Sequence, residues 1–264
     1  MRGLWADEKV DRLNWSKKKI FYRYFKKVEK KLLIKSKSIV CLTIDAKKIL
    51  IKDLKINKNK INIIPTCVNT NEFKLKSYKK KDYINFCHLG SIETAYNIDK
   101  VLKIFLYFLN QNSKNKLLFF TNQNSRALEK KILQYKIPNK NYLILKIQKS
   151  ELIKKMKVID IGIFYCNKNY SIQASFPTKI GEFLSSGIPI LCNDFNKDIK
   201  NLINQNKIGL ISNFQKSKFL LVYRDLKKLL NNKQIKKRCR KVAEDKLSLI
   251  KGSKKFLKLY EDSF

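Results

Sequence analysis

Between residues 83 and 212 short apolar runs alternate with segments whose apolar positions recur every three or four residues. Tyr83-Ile-Asn-Phe-Cys-His-Leu89 reads as a strand ending at Gly90. From Ile98 to Leu109 the apolar positions are 98, 101, 102, 104, 105, 108 and 109, the spacing of a helix with one buried face. Leu117–Phe120 reads as the next strand, and Ala127–Tyr135 as a helix stopped near Pro138. Tyr142–Leu145 is a strand and Ser150–Met156 a short helix. Val158–Phe164 is nearly all apolar, as a strand covered on both faces must be. Pro177–Ser185 reads as a helix, with Gly187 and Pro189 as its stop. Ile188–Cys192, Asp198–Asn204 and Ile208–Ile211 follow as strand, helix and strand. This βα alternation predicts an α/β protein with a doubly wound parallel sheet. Such sheets bind ligands at the carboxyl ends of their strands, which singles out the loops after Leu89, Leu145 and Phe164.

The flanks differ. Val28–Lys37 is amphipathic, Ser38–Thr43 reads as a strand, Asp45–Leu54 as a helix and Ile61–Ile64 as a strand closed by Pro65. That is about one and a half α/β units, too little for an independent core. Residues 213–264 read as helices, including Phe219–Leu230 and Lys255–Tyr260.

Composition narrows the classes. Hydrophobic residues make up 44%, enough for a packed core. No stretch approaches the roughly 18 consecutive apolar residues of a membrane span, and Met1–Trp5 lacks the apolar run of a secretory leader. The expectation is a cytoplasmic protein, with room for peripheral contact at the inner face of a membrane. Lys+Arg 59 against Asp+Glu 21 gives a net charge of +38. A basic balance points toward nucleic acid or anionic lipid. The excess is mostly Lys, spread along the chain together with Asn, Ile, Phe and Tyr, the set an AT-rich genome encodes, so coding bias suffices to explain it. Clusters such as Lys17-Lys18-Lys19 and Lys79-Lys80-Lys81 still attract an anionic surface. Phe21-Tyr-Arg-Tyr-Phe-Lys-Lys27 interleaves aromatic and basic residues as single-strand binders do, but it also reads as a helix with an apolar face, and nucleic acid is not the expected partner. None of the six cysteines forms a C-x-x-C pair. The one histidine, His88, ends an apolar run and reads as a packed or solvated side chain, with a ligand-facing role as the alternative.

The chemistry concentrates in Ser175-Phe-Pro-Thr-Lys-Ile-Gly-Glu-Phe-Leu-Ser-Ser-Gly-Ile-Pro-Ile-Leu191. A turn leads into a helix whose free N–H groups can hold a diphosphate. Lys179 adds a point charge, and Glu182, one turn further in, can accept hydrogen bonds from ribose hydroxyls. Residue by residue, an ordinary surface helix with a dipole-complementing Glu explains the segment equally well.

Taken whole, the segment resembles the P-T-K-x-x-E-[YF]-L-x-x-G-x-P signature of family 4 retaining glycosyltransferases. Ile61-Asn-Ile-Ile-Pro-Thr-Cys-Val-Asn-Thr-Asn-Glu-Phe73 looks like their interdomain segment. Phe86-Cys-His-Leu-Gly-Ser-Ile-Glu-Thr-Ala-Tyr96 looks like the first strand and phosphate loop of their donor domain. The opening Met1–Glu8 resembles a late acceptor-domain segment of capsule and lipopolysaccharide sugar transferases. The resemblance implies the Rossmann-like donor half of a GT-B fold with a partial second α/β unit and C-terminal helices. Residues 1–67 would belong to the acceptor-binding domain, 68–212 to the nucleotide-sugar domain and 213–264 to helices, the last crossing back onto the N-terminal part. Gly90 and Ser91 would bring backbone amides to the diphosphate. The loop from Ile147 to Lys149 would meet the nucleobase, largely through backbone. Pro177, Thr178 and Lys179 would border the phosphates, and Glu182 would hold the ribose, with Lys179 and Glu182 closest to catalysis. No metal or further cofactor is implied. The donor is a nucleotide-sugar, and the acceptor a glycan or lipid-linked saccharide.

Departures qualify the resemblance. Many members carry two glutamates spaced as Ala174 and Glu182 are; here the first is Ala174. Many carry cations after the first donor strand, where this chain reads Ser91-Ile-Glu-Thr-Ala-Tyr-Asn97, leaving leaving-group stabilisation to Lys179, or to Ser91 and Tyr96. The family's acceptor domain is on the order of 100–200 residues, most of which has no counterpart here. The expectation is a truncated or split enzyme, or a half completed by a partner chain. A non-catalytic nucleotide-sugar-binding module is the second reading, and a basic nucleic-acid-binding protein the third.

Overall fold

A computed structural model describes all residues except 2, 14, 76–80, 93, 94, 263 and 264. Lys79 and Lys80 of the basic cluster, and Glu93 and Thr94 of the predicted phosphate loop, therefore lie outside the described residues. Six strands form one parallel sheet: β3 (Asn85–Leu89), β4 (Lys116–Thr121), β5 (Tyr142–Lys146), β6 (Ile161–Phe164), β7 (Ile190–Cys192) and β8 (Gly209–Ile211). Their order is β5-β4-β3-β6-β7-β8, every pairing parallel. The winding reverses between β3 and β6, so their carboxyl ends open the crevice in which doubly wound sheets bind ligands.

Alternate strand residues feed two cores. Phe86, Leu117, Phe119 and Ile163 pack under α4 (Ile98–Gln111) and α9 (Phe219–Asn231). Cys87, Leu118, Phe120 and Phe164 pack under α7 (Thr178–Ser185) and α10 (Ile235–Lys246). The helices α5 (Arg126–Gln134), α6 (Lys149–Lys155) and α8 (Lys197–Asn206) complete the connections at the predicted positions. Strand β6 starts later than its apolar run. Met156–Val158 makes a tight 3-10 turn, and the Asp160 carboxylate accepts the Asn85 N–H at 2.8 Å.

Gly162 sets how closely α7 approaches the sheet. A Cβ there would lie 2.5 Å from the fully buried ring of Phe183. Gly162→Ala is expected to cost about 1–3 kcal/mol by overpacking and to weaken any ligand held by the α7 N-terminus. Urea unfolding and ligand titration of the same variant check both parts.

The N-terminal region carries α1 (Trp5–Leu13), α2 (Ile20–Lys35), α3 (Ile44–Lys52) and the parallel pair β1 (Ile39–Cys41) and β2 (Ile61–Ile63). The aromatic-basic stretch from Phe21 to Lys27 is helical, within α2. This unit docks against the loop after β6 and the start of α8. Thr43 Oγ1 donates to Gln173 O and Thr66 Oγ1 to Phe176 O, both at 2.7 Å. Asp198 accepts the Ile44 N–H at 3.0 Å, and Tyr170 donates to Asp53. The chain leaves the unit at Val68, whose N–H and C=O bond Leu247 and Leu249. There α11 (Leu249–Glu261) begins, with Gly252 so close that a Cβ would meet Cys67 Sγ at 2.5 Å. Ile20, Phe21, Tyr24 and Leu32 of α2 are exposed, as are Phe256, Leu257 and Tyr260 of α11. Among the described residues no helix is long and apolar enough to cross a membrane.

Candidate nucleotide-binding site

At the carboxyl edge of the sheet an open cleft is lined by Gly90, Ser91, Tyr96, Ile147, Lys149, Thr178, Lys179 and Glu182, together with Phe120, Thr121 and Gln148. Residues far apart in sequence meet there because β3, β4 and β5 end side by side and α7 starts across from them. Pro177 lies just outside, in the neighbouring cleft between α1, α2 and the sheet, which Ser91, Tyr96 and Thr178 also line.

Gly90 turns the chain with φ +91, a conformation that side chains disfavour. Its N–H donates to Phe120 O at 2.7 Å, so the backbone donor expected of Gly90 is consumed by the sheet. What Gly90 offers is space: a Cβ there would sit 3.7 Å from Lys179 Cε.

Lys179 is a buried cation. It lies in the first turn of α7, is 6% exposed, and among the described residues its ammonium has no hydrogen-bond partner. The ammonium sits over the Tyr96 ring at 3.7 Å from the centroid and 5.4 Å from that of Phe164. A ring face partly compensates a desolvated cation. Burial nevertheless draws the Lys179 pKa down to about 8. A cation kept without an acceptor, beside free helix N–H groups, suits an incoming anion. Lys100, the first cation after the β3 loop, has its ammonium 5.7 Å from the Phe214 ring centroid and does not line this cleft.

Glu182 is half-buried on the same helix, and among the described residues its carboxylate has no hydrogen-bond or ion-pair partner. Burial raises its pKa, opposed by the charges of Lys179 and Lys149. Lys149 pairs with Glu72 of the segment after β2 at 2.8 Å, which bridges the Ile147 loop to that segment. Ala174 is buried and belongs to the same apolar cluster as Leu33 and Ile39, a setting that disfavours a charged carboxylate.

The supporting contacts of three residues were not visible in the sequence. His88 is fully buried beneath the loop after β3. Gln123 Oε1 accepts the Ile92 N–H at 2.7 Å. Arg240 of α10 donates to Thr70 O, Phe73 O and Ser185 O, fastening the segment after β2 to the end of α7.

A doubly wound parallel sheet with a helix N-terminus beside its switch point is an architecture that binds ligands at the strand ends, and solved glycosyltransferases share it with this chain. The chain belongs to the family described as glycosyl transferases group 1, which it matches over residues 69–246. No curated protein matches it. A glycosyltransferase from Rickettsia africae superposes with a TM-score of 0.72 at 17% identity, over 91% of this chain and 67% of that one. WaaG, a glycosyltransferase involved in lipopolysaccharide biosynthesis, gives 0.68 at 15% identity, over 90% and 67%. Anabaena HepE, solved in complex with UDP-glucose, gives 0.70 at 10% identity, over 89% and 67%. The chain spans 45% of TarM, another such structure. The fold is the Rossmann-like GT-B type.

Proposed function

We propose that this chain binds a nucleotide-sugar and serves its transfer, with retention of configuration, to a glycan or lipid-linked acceptor, as the family 4 resemblance implies. The unpartnered, buried Lys179 ammonium at the α7 N-terminus carries this reading. The donor's diphosphate lies between the turn at Gly90–Ser91 and the first turn of α7, bordered by Pro177 and Thr178. Lys179 leaves the Tyr96 ring for the phosphate oxygens. As the bond from the sugar's anomeric carbon to the diphosphate breaks, its electron pair goes to the diphosphate, the acceptor's hydroxyl oxygen bonds to that carbon and its proton passes to a diphosphate oxygen, while Lys179 and the helix N–H groups stabilise the diphosphate's charge. Glu182 accepts the ribose hydroxyls, and the backbone from Ile147 to Lys149 borders the base. HepE is seen with UDP-glucose and TarM with UDP, which makes UDP the first probe here.

The same reading divides the chain into an acceptor-side unit (1–67), a donor domain (68–212) and C-terminal helices (213–264). The contact of Gly252 with Cys67 supports a last helix that returns to the acceptor side. The acceptor side is completed by further Rossmann-like structure, for which a partner chain is one source; the GtfA/B complex is a neighbour solved as an assembly. The setting is the cytoplasmic face of an anionic membrane, where the Lys17–Lys19 cluster and the exposed apolar residues of α2 would rest.

Calorimetry with UDP, GDP and ADP tests the reading. At least one is expected to bind with a dissociation constant of roughly 10–500 μM. Absence of binding by all three at millimolar concentration would remove the donor-site proposal.

A further inference from the structure

The only histidine of the chain, His88, is the penultimate residue of β3 and is fully buried. Its Nε2 lies 2.8 Å from Ser91 O, and its Nδ1 lies 3.3 Å from Ile163 O. Burial and then the charge of Lys179 draw its pKa down to about 3, so the ring is neutral and carries a single N–H. The shorter contact assigns that proton to Nε2, which donates to Ser91 O. The other end of the same peptide is also held, because the Ile92 N–H donates to Gln123 Oε1 at 2.7 Å. One peptide plane in the loop bordering the cleft is therefore fastened from both sides, its carbonyl by a core side chain and its N–H by a loop side chain. The Tyr96 ring packs edge-on to His88 at 5.4 Å and also carries the Lys179 ammonium, so the same imidazole supports both walls of the cleft.

A carbonyl oxygen facing a diphosphate would repel it, and a loop free to flip that peptide would present the carbonyl for part of the time. We infer that His88, together with Gln123, is a positioning residue that locks the Ser91–Ile92 peptide with its carbonyl turned into the core and away from the donor's phosphates. This inference rests on the nucleotide-sugar reading above. It makes His88 a determinant of phosphate recognition that touches no substrate atom. Nucleoside binding, which uses Glu182 and the Ile147 loop, does not depend on the lock.

The test compares His88→Leu, His88→Gln and Gln123→Ala with the unchanged protein, using UDP by calorimetry and uridine by ligand-observed NMR. Gln can place an N–H where Nε2 stands, so it restores the donor to Ser91 O; Leu fills the space without a donor. His88→Leu is expected to weaken UDP about 10-fold and Gln123→Ala about 3-fold, with uridine unchanged and His88→Gln within about 3-fold of the original. If His88→Leu does not fold, His88→Gln and Gln123→Ala decide the matter, because Gln keeps the donor and Gln123 is only half-buried. Unchanged UDP affinity in Gln123→Ala and in a folded His88→Leu overturns the inference. So do equal losses for UDP and uridine, or a folded His88→Gln as weak as His88→Leu. If the unchanged protein binds neither ligand, nor GDP or ADP, the donor-site reading itself has failed, and the positioning role falls with it.

Discussion

Lys179→Met is expected to make the free protein more stable and the nucleotide complex much weaker. Met nearly conserves the volume of the Lys stem and removes the charge. In the free protein that charge is buried without a hydrogen-bond partner among the described residues, with the Tyr96 ring as its main compensation. A pKa lowered from 10.5 to about 8 corresponds to about 3 kcal/mol against the charged form. The folded state carries this cost in full below pH 8, where Lys179 is protonated both folded and unfolded. Between pH 8 and 10.5 the unfolded chain binds more protons than the folded one, so stability rises with pH until the cost is gone. Lys179→Met removes the cost at every pH and is expected to raise the melting temperature at pH 7 by about 5 °C. The same variant loses a charge-assisted hydrogen bond to phosphate, which lowers UDP affinity on the order of 10–100-fold. In the unchanged protein UDP affinity is highest below pH 8. Above it, affinity falls by up to about tenfold per pH unit, because binding then requires a proton to be taken up. A variant with unchanged UDP affinity, or a flat pH profile from 7 to 10, would take Lys179 out of the phosphate site.

Glu182→Ala is expected to separate ribose from phosphate recognition. The carboxylate has no hydrogen-bond or ion-pair partner among the described residues, and it shares the cleft with Lys179. Accepting two ribose hydroxyls would compensate its partial burial. Its loss is expected to weaken UDP by about 10–30-fold, the worth of one or two hydrogen bonds to a charged acceptor. Pyrophosphate has no ribose, and removing a negative charge near Lys179 favours an anion, so its affinity should hold or rise slightly. Equal losses for the two ligands in calorimetry would remove Glu182 from the ribose role.

The sheet was legible from sequence because its strands are bare apolar runs and its helices show one apolar face, as Ile98–Leu109 does. Helix α10 falls within residues 213–264, which read as helical, but its bounds did not show, although Ile235, Cys239, Val242 and Ala243 form its buried stripe. Lys236–Lys237–Arg238, Arg240–Lys241 and Glu244–Lys246 dilute that stripe to four apolar positions in a charged run, which hides where the helix starts and stops. Strand β6 was placed too early because an apolar run does not reveal where a 3-10 turn gives way to a strand.

The site divides in the same way. Gly90, Thr178, Lys179 and Glu182 stood out because a motif orders them along the chain, and the topology brings them to one edge. The state of Lys179 did not, because its burial depends on Tyr96 of the β3–α4 connection and Phe164 of β6 arriving from elsewhere in the chain. The use of the Gly90 N–H by Phe120 O depends on strand register, which local sequence does not encode. For His88 the sequence left packed and solvated roles open, because its contact with Ser91 O depends on how the chain turns at Gly90.

The most direct test of the central claim is a crystal structure of the protein with UDP. The account predicts the diphosphate between the Gly90–Ser91 turn and the first turn of α7, with the Lys179 ammonium moved from the Tyr96 ring to a phosphate oxygen and the ribose hydroxyls on Glu182. Nucleotide bound elsewhere, or phosphates at α7 with Lys179 still on Tyr96, would contradict it.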